Sequence, residues 1–256
     1  MATDHHADSS GVPWEGRAFH DNPHAGDTGE TPTDVAERLN AWRAGTGSFT
    51  DLVATLAVNR FLIPLVTHAG DDFDVDNPVM EDKVQELSVI TVAGPTGEKV
   101  IPAFTSVAAM SAWNSDARPI PIEAQRVALA AASEQTDRIV VNPGTYSIVL
   151  RRPIVWSIAQ GNAYVAPWES TEFLAKTRNL LSGIDDLVEI GVAPGDPNAT
   201  GDGPDVTLVL GLVDGLVADR VQSLVAEVQA RVSNNDTFVN QVDALAITLS
   251  TSVARP

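Results

Sequence analysis

The feature that most constrains this chain is the close alternation of short apolar runs and helical patterns along residues 100–161. Apolar runs bounded by proline or glycine are typical of strands, whereas apolar residues spaced three and four apart are typical of helices. We therefore predict a compact domain of the α/β or α+β class. Its strands are expected at about 99–104, 139–141 and 146–150.

Two short helices are predicted before this segment. Asp34 and Ser48 each begin a capping-box spacing, with an acidic residue three positions later and apolar residues on one face thereafter. A strand over 60–68 follows, and Pro64 predicts that it is an edge strand or contains a bulge, because proline cannot donate to a sheet ladder. Another strand is expected over 87–94.

Turn and helix signals divide the central segment. The hydroxyl residues at 105–106 can cap a short helix. Pro119 and Pro121 are expected to break the chain before a helix over 122–134. The sequence at 142–145, Asn-Pro-Gly-Thr, predicts a type II turn, because proline and glycine suit its two central positions.

The remainder of the chain predicts a smaller domain with the order helix, strand, strand, helix, strand. Residues 206–213 are apolar on both faces and predict a central strand. The fold class expected is therefore α+β, with a mixed-sheet main domain and a smaller α-β-β-α-β domain. The predicted organisation is an extended acidic arm at 1–33, a main domain at 34–162 and a C-terminal domain at 163–256.

The charge of the chain argues against some partners. With 34 acidic and 16 basic residues among 256, the formal net charge is −18. Such a surface repels phosphate groups, so we expect neither nucleic-acid binding nor association with anionic membranes. The basic residues are scattered, apart from the pair Arg151 and Arg152.

Cysteine is absent, which excludes thiol nucleophiles, disulfides and cysteine-ligated metals. The N-terminal residues are polar and acidic, where a signal peptide needs a basic region followed by an apolar one. No segment has the roughly 20 apolar residues of a membrane span. A cytoplasmic protein is the expectation.

Two acidic loops have partial calcium-loop spacing. The loop beginning at Asp72 has Asn77 and Lys83 where glycine and glutamate are required. The loop beginning at Asp196 has Thr207 at its closing position and lies between predicted strands. Four of the five histidines lie in the arm. We therefore predict no metal and no cofactor, and solvated loops in both places.

The junction after the strand at 99–104 is the candidate ligand site. Backbone N–H groups and two hydroxyls at 104–106 could hold a small anion or carboxylate, and the turn at 142–144 could lie at the same sheet end. The alternative is that Thr105 or Ser106 only caps its own helix. The candidate ligand-binding residues are Pro102, Phe104, Thr105, Ser106, Trp113, Asn142, Pro143 and Gly144.

Several phrases occur in a characteristic order along the chain. They are Pro13-Trp14-Glu15-Gly16-Arg17, Asp27 with Gly29, Pro102-Ala103-Phe104-Thr105-Ser106 followed by Trp113, Asn142-Pro143, and Arg152-Pro153. In these phrases the chain resembles the SseB family, named for enhanced serine sensitivity, with an N-terminal and a smaller C-terminal SseB domain. Asn142 and residues 144–146 depart from the pattern, where relatives often carry Asp and a second Gly-Pro. The resemblance implies a two-domain cytoplasmic protein without an established reaction.

Function is constrained by the lack of a nucleophile, base and orienting group at a recognisable spacing. The leading hypothesis is a non-catalytic interaction or regulatory protein, acting through an unknown protein partner or a small ligand. The alternative is a sensor of an amino acid or anion, or an enzyme, that uses the junction at 102–106. A monomer and a homodimer are both compatible with the sequence.

Overall fold

The computed structural model describes residues 24–65, 91–93, 97–134 and 136–251. The predicted arm up to residue 23 and the acidic loop at 72–83 lie outside these residues. So do residues 66–68 of the strand predicted over 60–68 and most of the strand expected at 87–94. The described helices and strands form an α+β fold, as predicted. None of the described helices is long and apolar enough to cross a membrane.

Helices α1 (Thr33–Arg43) and α2 (Phe49–Val58) pack against each other. Ser48 caps α2 as predicted, since its Oγ accepts the backbone N–H three residues later at 3.1 Å. The capping box predicted at Asp34 is wrong, because α1 begins one residue earlier and has no side-chain cap. The Asp34 carboxylate instead accepts the Asn59 side-chain amide at 2.8 Å, which ties the start of α1 to the end of α2.

Strand β1 (Arg60–Leu65) pairs antiparallel with β4 (Arg118–Glu123) in a two-stranded sheet. Pro64 lies opposite Pro119, so the edge position predicted for Pro64 is confirmed. The expectation that the prolines at 119 and 121 break the chain is wrong, because a strand with a free edge tolerates residues that lack an N–H. Helix α4 (Ala124–Ser133) consequently begins two residues later than predicted.

A four-stranded mixed sheet forms the centre of the main body. In spatial order its strands are β2 (Val92–Ala93), β3 (Lys99–Ala103), β5 (Ile139–Val141) and β6 (Ile148–Leu150). Only the β3–β5 pair among them is parallel. The carboxyl ends of β3 and β5 therefore meet at one sheet edge, with Ala103 beside Val141. Helix α3 (Val107–Trp113) begins just beyond that edge.

Helix α5 (Arg152–Ala159) follows β6 directly and packs against α4. A 3₁₀ turn (Pro167–Glu169) and α6 (Thr171–Leu180) lead into the last part of the chain. Its sheet has the order β7 (Leu187–Pro194), β8 (Val206–Leu212), β9 (Leu245–Thr251), with α7 (Ala218–Ser233) and α8 (Asp236–Gln241) between the last two strands. Strand β8 is central, as predicted, and the short α8 was not expected.

Two large apolar clusters stabilise the fold. The first joins α1, α2, α4 and α5 to the four-stranded sheet, and the second joins α6, α7 and α8 to the three-stranded sheet. Trp168 packs against both. Ala166 and Ala199, which follow residue 162 in the chain, are buried in the first cluster. The two parts thus share packed contacts, and the boundary at 162/163 stays a prediction.

Candidate functional site

The predicted junction brings Thr105 and Asn142 together at the carboxyl ends of β3 and β5. The Thr105 backbone N–H donates to Asn142 Oδ1 at 2.9 Å, and Asn142 Nδ2 donates to the Thr105 hydroxyl at 3.1 Å. Asn142 is buried and has a φ of 52°, in the left-handed region that asparagine tolerates. The hydrogen bonds to Thr105 stabilise this backbone conformation.

The remaining polar groups of the junction also have protein partners. Ser106 Oγ accepts the Ala109 N–H at 3.1 Å and so caps α3. The hydroxyls of Thr31 and Thr105 are 3.0 Å apart, and Arg60 Nη1 donates to the Thr105 carbonyl at 2.6 Å. The junction is therefore internally hydrogen-bonded, and its ligand-binding role stays a prediction.

The apolar members of the predicted set surround this junction. Pro102 and Phe104 are buried, and the ring of Phe104 lies 5.4 Å from that of Trp113. In the turn, Gly144 has a φ of 82° and the Thr145 N–H donates to the Asn142 carbonyl at 3.3 Å, which confirms the type II turn. Pro143 is half-buried and Gly144 is exposed. Apart from this surface turn, the set packs as part of the core.

An N-terminal segment docks on the same junction. The Asp27 carboxylate accepts hydrogen bonds from Arg60 Nε and, at 2.9 Å, from Arg60 Nη2. The Gly29 carbonyl accepts the Val107 N–H at 2.7 Å. Gly29 has a φ of 76°, and a Cβ there would lie 2.6 Å from Val107 Cγ2. The hydrogen bond from Arg60 lowers the pKa of Asp27 below its ordinary value.

A cavity of about 150 Å³ lies where the two parts of the chain meet, away from the predicted site. Its wall includes residues of α1, α2 and the start of α5 on one side. The other side comes from residues 164–169 and from the loop between β7 and β8. Sequence reasoning missed this cavity, although it noted two of its lining residues for other reasons: Arg151 in the basic pair and Asp196 in the acidic loop.

Four aromatic rings line the cavity, two from each of these sides. Phe49 is at the centre of the group: its ring centroid lies 5.6 Å from Trp42, 6.5 Å from Tyr164 and 5.8 Å from Trp168. Phe49 itself is buried, whereas the other three rings are half-buried. The cavity therefore has a wall of aromatic faces and edges.

Arg151 lines the cavity and is 4% exposed. Its Nη2 donates to Asp196 Oδ2 at 3.1 Å and to the Gly203 carbonyl at 2.9 Å, and its Nη1 lies 3.5 Å from Asp243 Oδ2. Burial opposes ionisation of Asp196, but hydrogen bonds from Thr200, Gly201 and Arg151 outweigh it and lower the pKa. Arg151 is thus neutralised by carboxylates from the C-terminal part.

Glu169 caps α2 from a distant part of the chain. Its carboxylate accepts the backbone N–H groups of Phe49 and Thr50, at 2.8 and 3.0 Å, and the Ser48 hydroxyl at 2.8 Å. Burial raises the pKa of Glu169, but these hydrogen bonds more than compensate and leave the pKa lowered. The carboxylate is therefore ionised at neutral pH beside the aromatic wall.

Asp205 and Tyr164 complete the polar lining. Asp205 is 8% exposed and accepts the Asp243 and Ala244 N–H groups, but burial still raises its pKa. Burial, followed by the nearby charges of Asp205 and Glu169, raises the pKa of the Tyr164 hydroxyl well above its ordinary value. Among the described residues, no side chain or backbone group forms a hydrogen bond with this hydroxyl.

A wider groove of about 890 Å³ adjoins the cavity, since Trp42 and Pro197 line both. On its rim the Arg43 guanidinium lies 4.5 Å from the ring centroid of Tyr146, which is 72% exposed. The groove leads from the protein surface toward the aromatic wall.

Fold and site together define an α+β protein with a mixed central sheet, a smaller three-stranded unit and a ligand-sized cavity between them. Residues 35–157, just under half of the chain, match the family model described as the SseB protein N-terminal domain, so this part of the chain is an SseB N-terminal domain. The resemblance seen in the sequence is thereby confirmed. The C-terminal SseB domain lies outside the matched residues and stays a prediction. No curated protein and no solved structure matches the chain.

Proposed function

We propose that this protein is a non-catalytic regulatory module that binds a small organic molecule in the cavity between its two parts. The observation that carries the proposal is the cavity itself, where four aromatic side chains and the carboxylates of Glu169, Asp196 and Asp205 meet between the two parts of the chain. A concave site with aromatic walls and a few polar groups is typical of small-molecule binding. A cavity of about 150 Å³ is large enough for a ligand of benzene size.

A binding role is favoured over catalysis by what the charged residues of the wall already do. Glu169 is held by the start of α2, Asp205 by the backbone before β9, and Asp196 by its own loop and Arg151. Each carboxylate accepts two or more hydrogen bonds that maintain the fold. Proton transfer to a substrate would disrupt these bonds, so the carboxylates suit a fixed electrostatic environment better than acid–base chemistry.

A regulatory role is favoured by the position of the cavity. Its lining includes Phe49 and Arg151 from the first part of the chain and Trp168 and Asp205 from the second. A ligand that contacts both parts stabilises their packed arrangement by its own binding free energy. Surfaces that depend on that arrangement would then respond to the ligand.

The proposal is tested by thermal unfolding with compounds of up to about seven heavy atoms: organic cations, carboxylates, amino acids and neutral alcohols. We expect at least one compound to raise the melting temperature of the wild type, and to do so less in Tyr164→Phe. The variant Trp156→Phe is the control, because Trp156 is 47% exposed and does not line the cavity. If every effective compound acts equally on wild type and Tyr164→Phe, the cavity is not the binding site.

The protein partner and the cytoplasmic location inferred from the sequence stay predictions. Both are tested by fractionation of native cells followed by affinity capture with the full-length chain, in the presence and absence of an effective compound. A partner captured only in one of the two conditions would support the regulatory role.

A further inference from the structure

We infer that the cavity binds a small organic cation, specifically an alkylated ammonium group carried on a short apolar body. This inference rests on the proposed ligand-binding function and specifies its ligand. It follows from three properties of the cavity: its aromatic wall, the sign of the charge around it, and its volume.

The aromatic wall favours a cation that is only weakly hydrated. Trp42, Phe49, Tyr164 and Trp168 all line the cavity, so a group bound there lies beside aromatic rings. The electron-rich faces of such rings attract alkylated ammonium groups, and tryptophan does so most strongly. The methyl groups of the cation also replace water against the apolar wall.

The charged residues around the cavity also favour a positively charged ligand. The positive charge of Arg151 is balanced by Asp196 at 3.1 Å and Asp243 at 3.5 Å. Glu169 and Asp205 then add carboxylates to the wall, and neither has an ion pair with a described basic residue. Together with Asp196 they outnumber Arg151, the one basic residue among the described residues that line the cavity, so the potential inside the cavity is negative. An anionic ligand would meet this potential in a site of reduced dielectric, where repulsion is stronger than in water.

Volume and polarity limit the body of the ligand. A cavity of about 150 Å³ accepts roughly six or seven heavy atoms. One hydroxyl or amine on the ligand could bond to the Tyr164 hydroxyl. Choline meets each of these requirements and is therefore the probe, without being identified as the natural ligand.

The test compares choline with 3,3-dimethylbutan-1-ol, which has the same shape but no charge, and with acetate, by isothermal titration calorimetry on the full-length chain. We expect choline to bind with a Kd of about 0.1–1 mM. The neutral analogue should bind at least about tenfold more weakly, because it lacks the cation–π attraction. Acetate should not bind measurably.

Variants place the binding in the cavity. Tyr164→Phe should weaken choline binding severalfold without changing stability, since its hydroxyl contacts no described partner, and Trp168→Leu should weaken it about tenfold or more. Trp156→Phe should bind like the wild type.

The possible outcomes separate this inference from the proposed function. If the neutral analogue or acetate binds as well as choline, and Tyr164→Phe or Trp168→Leu weakens that binding, the cation inference is overturned and the ligand-binding function stands. Equal choline binding by wild type and both cavity variants overturns the inference as well, because the cation then binds elsewhere. No binding of choline, its analogue or acetate overturns the cation inference, and the compound panel above then decides the function.

Discussion

Replacing Arg151 by methionine tests how strongly the two parts of the chain are held together. The substitution keeps much of the side-chain volume but removes the guanidinium, which donates to Asp196, to the Gly203 carbonyl and, at 3.5 Å, to Asp243. Asp196 is 5% exposed and is left without its cation. Its loop must then hold a nearly buried carboxylate by itself.

The expected loss follows from these contacts. Removing one partner of a buried ion pair costs about 3–5 kcal/mol. Asp196 keeps hydrogen bonds from Thr200 and Gly201, and Asp243 keeps contacts with Arg138 and Arg152. We therefore expect the lower end of the range, a loss of about 3 kcal/mol in the free energy of unfolding.

Urea unfolding at pH 7, followed by circular dichroism and tryptophan fluorescence, measures this loss. The control is Arg38→Met: the side chain of Arg38 is 52% exposed and lies 3.7 Å from Asp51, within the first part of the chain. The control should lose no more than about 1 kcal/mol, because exposed ion pairs contribute little. If Arg151→Met loses no more than Arg38→Met, the buried guanidinium does not hold the two parts together.

Three further predictions concern the docked N-terminal segment and the cap of α2. Gly29→Ala should lower the free energy of unfolding by about 2–4 kcal/mol, because it adds a Cβ against Val107 at a positive φ. Gly26→Ala is the control and should be neutral, because a Cβ there meets open space. Equal urea midpoints for the two variants would refute the contact with Val107. The pKa of Asp27 is lower in the folded state than in the unfolded state. The ionised Asp27 carboxylate therefore stabilises the fold fully above the unfolded-state pKa, and this contribution is lost as pH falls through the folded-state pKa. Asp27→Asn should therefore be less stable than the wild type at pH 7, and the difference should shrink as pH falls through the folded-state pKa of Asp27. A pH-independent difference in melting temperature would contradict this. Glu169→Gln should lower the free energy of unfolding by about 1–2 kcal/mol, because it weakens the cap of α2. Glu172→Gln, at an exposed position, should change the free energy of unfolding little. Similar chemical denaturation of the two variants would argue against the cap.

Local patterns in the sequence predicted the parts of the fold that depend on neighbouring residues. Ser48 and Ser106 cap their helices because a hydroxyl before a helical segment reaches backbone N–H groups two or three residues ahead. Pro143 and Gly144 suit the type II turn by their own dihedral preferences. Asp34 shows the limit, since a capping-box spacing does not decide which residue begins the helix.

The parts that were missed depend on residues far apart in the chain. Pro119 lies in a strand because Pro64 and its neighbours offer a partner strand across more than fifty residues. The cavity requires Trp42, Arg151, Trp168 and Asp205 to converge, and no local period relates these positions. At the predicted junction, the sequence identified Thr105 and Asn142 but could not show that they hydrogen-bond to each other.

A crystal structure of the protein grown with (3-bromopropyl)trimethylammonium tests the central claim most directly, because bromine gives an anomalous signal. The account predicts density for the trimethylammonium group inside the cavity, against the rings of Trp42, Phe49 and Trp168, with the bromopropyl arm directed toward the groove. An empty cavity, at a concentration of the cation well above its measured Kd, would contradict the account.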